Sequence, residues 1–197
     1  EAVTLLSGAA ILEVEGRRYT LQPLDNVFLP AGIAHAALNT ASGQPAALHT
    51  AMATDTPART AVDRFFSRRA MPDESTGDGN PERVTRSATA TRFAAGEGAT
   101  FIDFYNGELV PGLRLSGGYG LFPPGARLLA HVHDFDESIC IVAGEATCIV
   151  EGRQYRLRDL TTALEPRGRV HYFVNRSSAP MAMLWVYAGP TPERLVV

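Results

Sequence analysis

The chain has 197 residues, a formal net charge of -3 and an apolar content of 45%, as expected of an ordinary folded chain with one large domain or two small ones. With a pI near 6.0 it has no basic excess to offer a nucleic acid or an anionic membrane, and no apolar run approaches the roughly 18 residues of a membrane span. All 18 basic residues are arginine, which excludes Schiff-base chemistry and a P-loop, since both need a lysine amine. Two cysteines are too few for a disulfide framework. The arginine and alanine bias points to a GC-rich bacterial coding sequence, and the absence of a targeting segment points to the cytoplasm.

In chain order, residues 1–56 come first and are repeated later in the chain. Glu15-Gly16-Arg17, Tyr19 and Leu21 match Glu151-Gly152-Arg153, Tyr155 and Leu157. Pro30, Gly32, His35 and Asn39 match Pro166, Gly168, His171 and Asn175, Gly8 matches Gly144, and Glu1 matches Glu137, all at one offset without a gap. Both copies read as β-structure. Between them, Thr56-Pro57 is a good helix start, and Ala58–Ala70 follows without breakers, with Val62, Phe65, Phe66 and Met71 as its apolar side. Pro72–Pro81 is polar and rich in turn formers and reads as a linker. The expected division is therefore 1–56, a helix and linker over 57–97, and a second domain over 98–197.

The second domain opens with strands over Phe101–Tyr105 and Leu113–Phe122. The run Gly117-Gly118-Tyr119-Gly120 lacks dinucleotide-fingerprint spacing and reads as a bend. Ile139–Val142 and Thr147–Val150 flank Gly144-Glu145, a hairpin signal. Further strands are expected over Thr161–Leu164, Val170–Asn175 and Met181–Tyr187. Many short strands with frequent Gly and Pro turns predict an all-β sandwich or barrel.

Chemistry concentrates in Gly125–Gly144. His131 and His133 are two apart, so on a strand both imidazoles project from one face. Glu137 follows a short polar bend and shares its face with Ile139 and Ile141, and His171 arrives from a distant strand. Three imidazoles and a carboxylate converging between apolar walls make a transition-metal site, since burying them without a cation or partners is costly.

These residues resemble the cupins. Their first motif is a glycine, five residues, His-x-His, three or four residues, glutamate, six residues and a glycine, and residues 125–144 fit it throughout. The second motif is matched by Pro166-Arg167-Gly168, His171 and Asn175, although Leu160 replaces a customary glycine, which predicts a different strand-entry turn. The resemblance implies two double-stranded β-helix (jelly-roll) barrels in tandem. Glu1 and His35 then stand as the first-barrel remnant of the ligand set, and that barrel is expected to be incomplete, with more β-structure preceding Glu1.

The other residues have narrower readings. Asn175 holds a loop, and Cys140 and Cys148 form a core thiol pair across the hairpin, facing away from the metal. Arg114, Tyr119, Phe173 and Trp185 are the candidate substrate contacts, with arginine suited to a carboxylate. The ligand set leaves metal positions for water, substrate or dioxygen, and it suits Fe(II), favoured here, or Mn(II), Ni(II) or Zn(II). The expected function is a metal-dependent enzyme that chelates a small oxygenated substrate, a carboxylate or enol, most readily as a non-haem dioxygenase. Isomerase, decarboxylase or hydrolase chemistry shares these ligands, and a small-ligand sensor or a storage-type bicupin is the non-catalytic alternative. Exposed strand edges predict a homodimer.

Overall fold

Alternating apolar residues between glycine turns settle into antiparallel sheets in both halves of the chain. The computed structural model describes residues 1–62 and 79–197, and they cluster into two units, Glu1–Ala90 and Thr91–Val197. Every helix or strand among the described residues is a β-strand.

Unit 1 contains β1 (Ala2–Ser7), β2 (Ala10–Val14), β3 (Arg17–Leu21), β4 (Asn26–Phe28), β5 (His35–Asn39), β6 (Ala47–Ala51) and β7 (Arg83–Thr85). They form one sheet of order β6-β1-β4-β7 and another of order β3-β2-β5. Val3, Leu5, Leu12, Val14, Tyr19, Val27 and Leu29 fill the core of this unit.

Unit 2 contains β8 (Phe93–Ala95), β9 (Ala99–Tyr105), β10 (Ser116–Phe122), β11 (His131–Val132), β12 (Glu137–Ala143), β13 (Glu145–Val150), β14 (Arg153–Arg158), β15 (Thr162–Glu165), β16 (His171–Val174), β17 (Met181–Tyr187) and β18 (Leu195–Val196). Its sheets run β15-β12-β17-β10-β9-β8 and β14-β13-β16-β11-β18. Ile139, Ile141, Phe101, Phe122, Cys148, Phe173, Met183 and Trp185 pack into the interior, in the jelly-roll manner expected. Of the segment 57–97, the described C-terminal part supplies β7 to the first unit and β8 to the second.

The repeat survives in the register. Ala2 pairs with Phe28 as Ser138 pairs with Leu164, and Val14 pairs with His35 as Val150 pairs with His171. Both units shift register at the same place, between Leu5 and Ser7 and between Ile141 and Ala143.

Four local expectations change. The helix is not borne out: residues 57–62 are irregular and exposed, and Val62, meant for its buried side, is 53% exposed. A short helix with no apolar face to bury lacks its main source of stability. The remainder of Ala58–Ala70, with Phe65 and Phe66, lies outside the described residues, as do Met71 and most of Pro72–Pro81.

Gly144 is a crossover rather than a hairpin, because β12 pairs with β15 and β17 while β13 pairs with β14 and β16. A Cβ on Gly144 would meet the Pro180 carbonyl at 2.4 Å. Gly117–Gly120 is not a bend but the middle of β10. The Trp185 ring lies over Gly118 and the Phe101 ring over Gly120, so those glycines make room for aromatic rings lying on the sheet. Finally, Leu160 takes the left-handed conformation itself, with φ of 61°, and so does its counterpart Leu24, with φ of 70°. The entry turn is thus alike in both units, at the steric cost a Cβ carries there.

Candidate metal centre

The site is set by a short strand and its neighbours. On β11, His131 pairs directly with His171 of β16, so both imidazoles leave the same face. His133 follows two residues on, and Glu137 opens β12 after the bend at residues 134–136. All four are buried, and one ligand atom from each lies within 4.8 Å of the others.

Each histidine has one ring nitrogen tied to the backbone. His131 Nδ1 lies 2.8 Å from the Leu129 carbonyl, His133 Nδ1 2.6 Å from that of Phe135, and His171 Nδ1 2.9 Å from that of Arg169. A carbonyl only accepts, so each Nδ1 carries a proton and each ring turns its Nε2 inward. His133 Nε2 and His171 Nε2 lie 3.1 Å and 3.0 Å from Glu137 Oε2, and His131 Nε2 is buried with no partner. Ring nitrogens facing a carboxylate at these distances share a proton or a metal cation with it. The donor set therefore fits a divalent transition metal, and His131, His133, Glu137 and His171 are the residues that would hold it.

The electrostatics separate the histidines: burial would lower His171, but its contact with Glu137 outweighs burial and raises it. Burial pushes His131 down to about 4, which keeps its ring neutral near pH 7. Burial would raise Glu137, but the contacts from His133 and His171 outweigh it and hold the carboxyl below its ordinary range.

A row of polar side chains crosses the sheet at this level. Glu137 pairs on one side with Glu165 and on the other with Tyr187, which pairs in turn with Ser116. Directly opposed residues share a face, so a second buried carboxylate stands beside Glu137. Cys148 Sγ donates to Glu165 Oε1 at 3.3 Å. This corrects the thiol reading: Cys148 faces the interior, and Cys140, which packs elsewhere, is not its partner. Residue parity counted from Ile139 fails because the chain changes sheets at Gly144. Tyr187 lies against His133, with ring centroids 4.8 Å apart, and burial together with the Glu137 charge pushes its phenol well up.

Of the candidate substrate contacts, Phe173 and Trp185 line the interior. Tyr119 pairs with Ile102 and Leu184, on the opposite face of the sheet, and Arg114 is exposed before β10. Asn175 holds a turn, donating from Nδ2 to the Phe122 and Ala179 carbonyls at 2.8 Å each. In unit 1, Glu1 Oε2 lies 3.4 Å from His35 Nε2 and Glu1 Oε1 lies 3.6 Å from Arg59. Sequence reasoning missed Glu165, one residue past the strand predicted over Thr161–Leu164; only the pairing of β15 with β12 brings it beside Glu137.

Residues 118–187 match the cupin domain family. No curated protein matches the chain by sequence. An oxalate decarboxylase mutant from Bacillus subtilis superposes over 100% of this chain and 65% of its own, with 13% identity and a TM-score of 0.69. The oxalate decarboxylase of Lactobacillus farciminis, in a formate complex, is similar over 100% of this chain and 72% of its own, with 15% identity and a TM-score of 0.69. An oxalate oxidase is similar over 57% of this chain and 62% of its own, with 20% identity and a TM-score of 0.51. The chain thus spans less than two thirds of that oxalate oxidase and of the Bacillus protein. Residues 118–187 thus carry a cupin domain, and the fold of the chain is like that of the two oxalate decarboxylases. No helix among the described residues is long and apolar enough to cross a membrane.

Proposed function

We propose that unit 2 is a metal-dependent enzyme centre for a small oxygenated substrate, a carboxylate or enol, with Fe(II) as the favoured metal and non-haem dioxygenase chemistry as the favoured reaction. The observation that carries this reading is the convergence of three imidazoles and one carboxylate, all buried, with a ligand atom of each within 4.8 Å of the others. A bound metal of this type supplies Lewis acidity and, if redox-active, a place for dioxygen. The protein's own residues do the rest. The three backbone carbonyls fix a proton on each Nδ1, Phe135 stacks on His133 with Tyr187 against both rings, and Phe173, Trp185 and Ile139 keep bulk water from the centre. The oxalate oxidase and decarboxylases of similar fold lend weight to a small acid as substrate.

A second reading is a small-ligand binding module. It is favoured by the near-complete enclosure of the cluster, with His171 at 0% and His133 at 5% exposure. Oxygen uptake by the Fe(II)-loaded chain over a panel of hydroxy acids, diketones and catechols separates the two: uptake supports the dioxygenase, and binding without turnover on any loaded metal supports the module. A cytoplasmic homodimer is the setting we propose for either, and light scattering tests the dimer.

A further inference from the structure

We infer that Arg194, together with the indole N–H of Trp185, is the recognition site for the anionic end of a small carboxylate substrate in unit 2. This rests on the metal-centre reading and adds to it the charge of the substrate and the residues that read it.

Arg194 stands immediately before β18, and β18 pairs with β11, the strand that carries His131. The C-terminal segment is anchored further by the Val197 amide, which donates to the Ala130 carbonyl at 3.0 Å. This brings a half-buried guanidinium over an interior ring: Arg194 Cζ lies 5.6 Å from the centroid of Phe101. From there an unbroken wall of rings leads to the metal ligands. Phe101 and Trp185 are 6.4 Å apart by centroid, Trp185 and Tyr187 5.2 Å, and Tyr187 and His133 4.8 Å. The guanidinium and the candidate metal thus stand at two ends of one aromatic surface.

Two features of this surface call for a ligand. Among the described residues, Arg194 has no carboxylate within the 4.0 Å of an ion pair. Asp103, the acid on the same sheet face, is near enough to feel its charge without pairing with it. The Trp185 Nε1 and the Ser116 Oγ, at 4% and 0% residue exposure, are moreover buried without partners, as is Asp103 Oδ1. Native interiors rarely leave such groups orphaned. A planar, charged fork over one ring, with an unpaired N–H on the next ring of the same surface, suits a carboxylate.

The test uses the full chain loaded with Mn(II) and titrates it calorimetrically with malonate and with its uncharged diamide, malonamide. Malonate is expected to bind at least about tenfold more tightly than malonamide. Arg194→Gln should weaken malonate by about tenfold or more at unchanged manganese content, Arg194→Lys should recover part of it, and Trp185→Phe should cost a few-fold. Equal malonate affinity in wild type and Arg194→Gln, or no preference for malonate over malonamide, overturns the inference. If Arg194→Gln fails to fold, Trp185→Phe decides, since it keeps the ring and removes only the N–H. Should the wild type take up no metal, the metal-centre reading fails. The malonate titration of the metal-free chain then judges Arg194 separately by the same comparison.

Discussion

Over their repeated strands the two units share register and turns but differ in their interiors. Where unit 2 has Cys148 and Glu165, unit 1 has Leu12 and Leu29, both 1% exposed. Where unit 2 has Phe173, Trp185 and Tyr187, unit 1 has Ala37, His49 and Ala51. The ligand pair is kept, Glu1 with His35 and Glu137 with His171, and each histidine ties its Nδ1 to the carbonyl two residues before it. The surroundings decide what the pair needs. In unit 1 the side chains of His35 and Glu1 are 27% and 13% exposed and Arg59 reaches the carboxylate, so its charge is answered by water and a guanidinium. In unit 2 they are 0% and 4% exposed, with two more imidazoles and no arginine within ion-pair distance among the described residues. The comparison teaches that register and turn geometry keep a glutamate–histidine pair in place while the side chains packed around it change.

The sharpest way to break this contrast is substitution at the equivalent glutamates. Glu137→Ala should weaken metal binding to unit 2 by more than about 100-fold, beyond what loss of an outer-shell partner costs. Glu1→Ala should leave it unchanged in a calorimetric metal titration. Equal losses would mean that the two sites are not distinguished by burial.

Unit 1 relies instead on a buried ion pair. Arg17 Nη2 donates to Glu82 Oε2 at 2.8 Å, and Tyr19 also donates to Glu82. Burial would raise Glu82, but Arg17 and Tyr19 outweigh it and hold the carboxyl below its ordinary 4.5. Glu82→Gln should cost unit 1 about 3 kcal/mol, because the guanidinium is left unpaired. A group with a depressed folded value contributes stability that is fully present above its unfolded value and is lost as pH falls through the folded one. The difference between wild type and Glu82→Gln in denaturant melts should therefore be level at neutral pH and shrink only in acid below about 4.5. A gap that widened in acid would contradict the assignment.

The Cys148–Glu165 pair gives a smaller effect. Cys148→Ala removes the donor to a buried carboxylate and should cost unit 2 about 2 kcal/mol. Leu12→Ala in unit 1 should cost as much or more, by cavity formation alone. Differential unfolding monitored by Trp185 fluorescence reports the first change and not the second. The smallest effect is at the entry turns. Leu160 is 63% exposed, so Leu160→Gly relieves its left-handed strain with little burial lost and should stabilise unit 2 by about 0.5 kcal/mol. Leu24 is half-buried, and Leu24→Gly should bring no gain.

The tandem jelly-roll and the residues of the candidate centre were legible because each is local. Turn glycines, alternating apolar residues and the His-x-His spacing can be read without knowing which strands meet. What escaped depends on pairing across long sequence separation. Arg194 reaches the interior only because β18 adds to β11, whereas Arg114, in a strand-like run, lies in the loop before β10. Tyr119 was assigned to the pocket, but β10 starts at Ser116 and its interior positions are Ser116, Gly118, Gly120 and Phe122. The glycines there read as a bend until the rings that fill them, Trp185 and Phe101, are known. Cys148 was misplaced by the sheet change at Gly144. The helix failed for want of a buried face over its described part.

The most direct test of the central claim is elemental analysis of the natively purified chain beside its Glu137→Ala variant. The account predicts transition metal in stoichiometric amount in the wild type and its loss in the variant. A wild-type chain that folds with its four ligands intact and takes up no metal, even when Fe(II), Mn(II), Ni(II) and Zn(II) are offered, would contradict it.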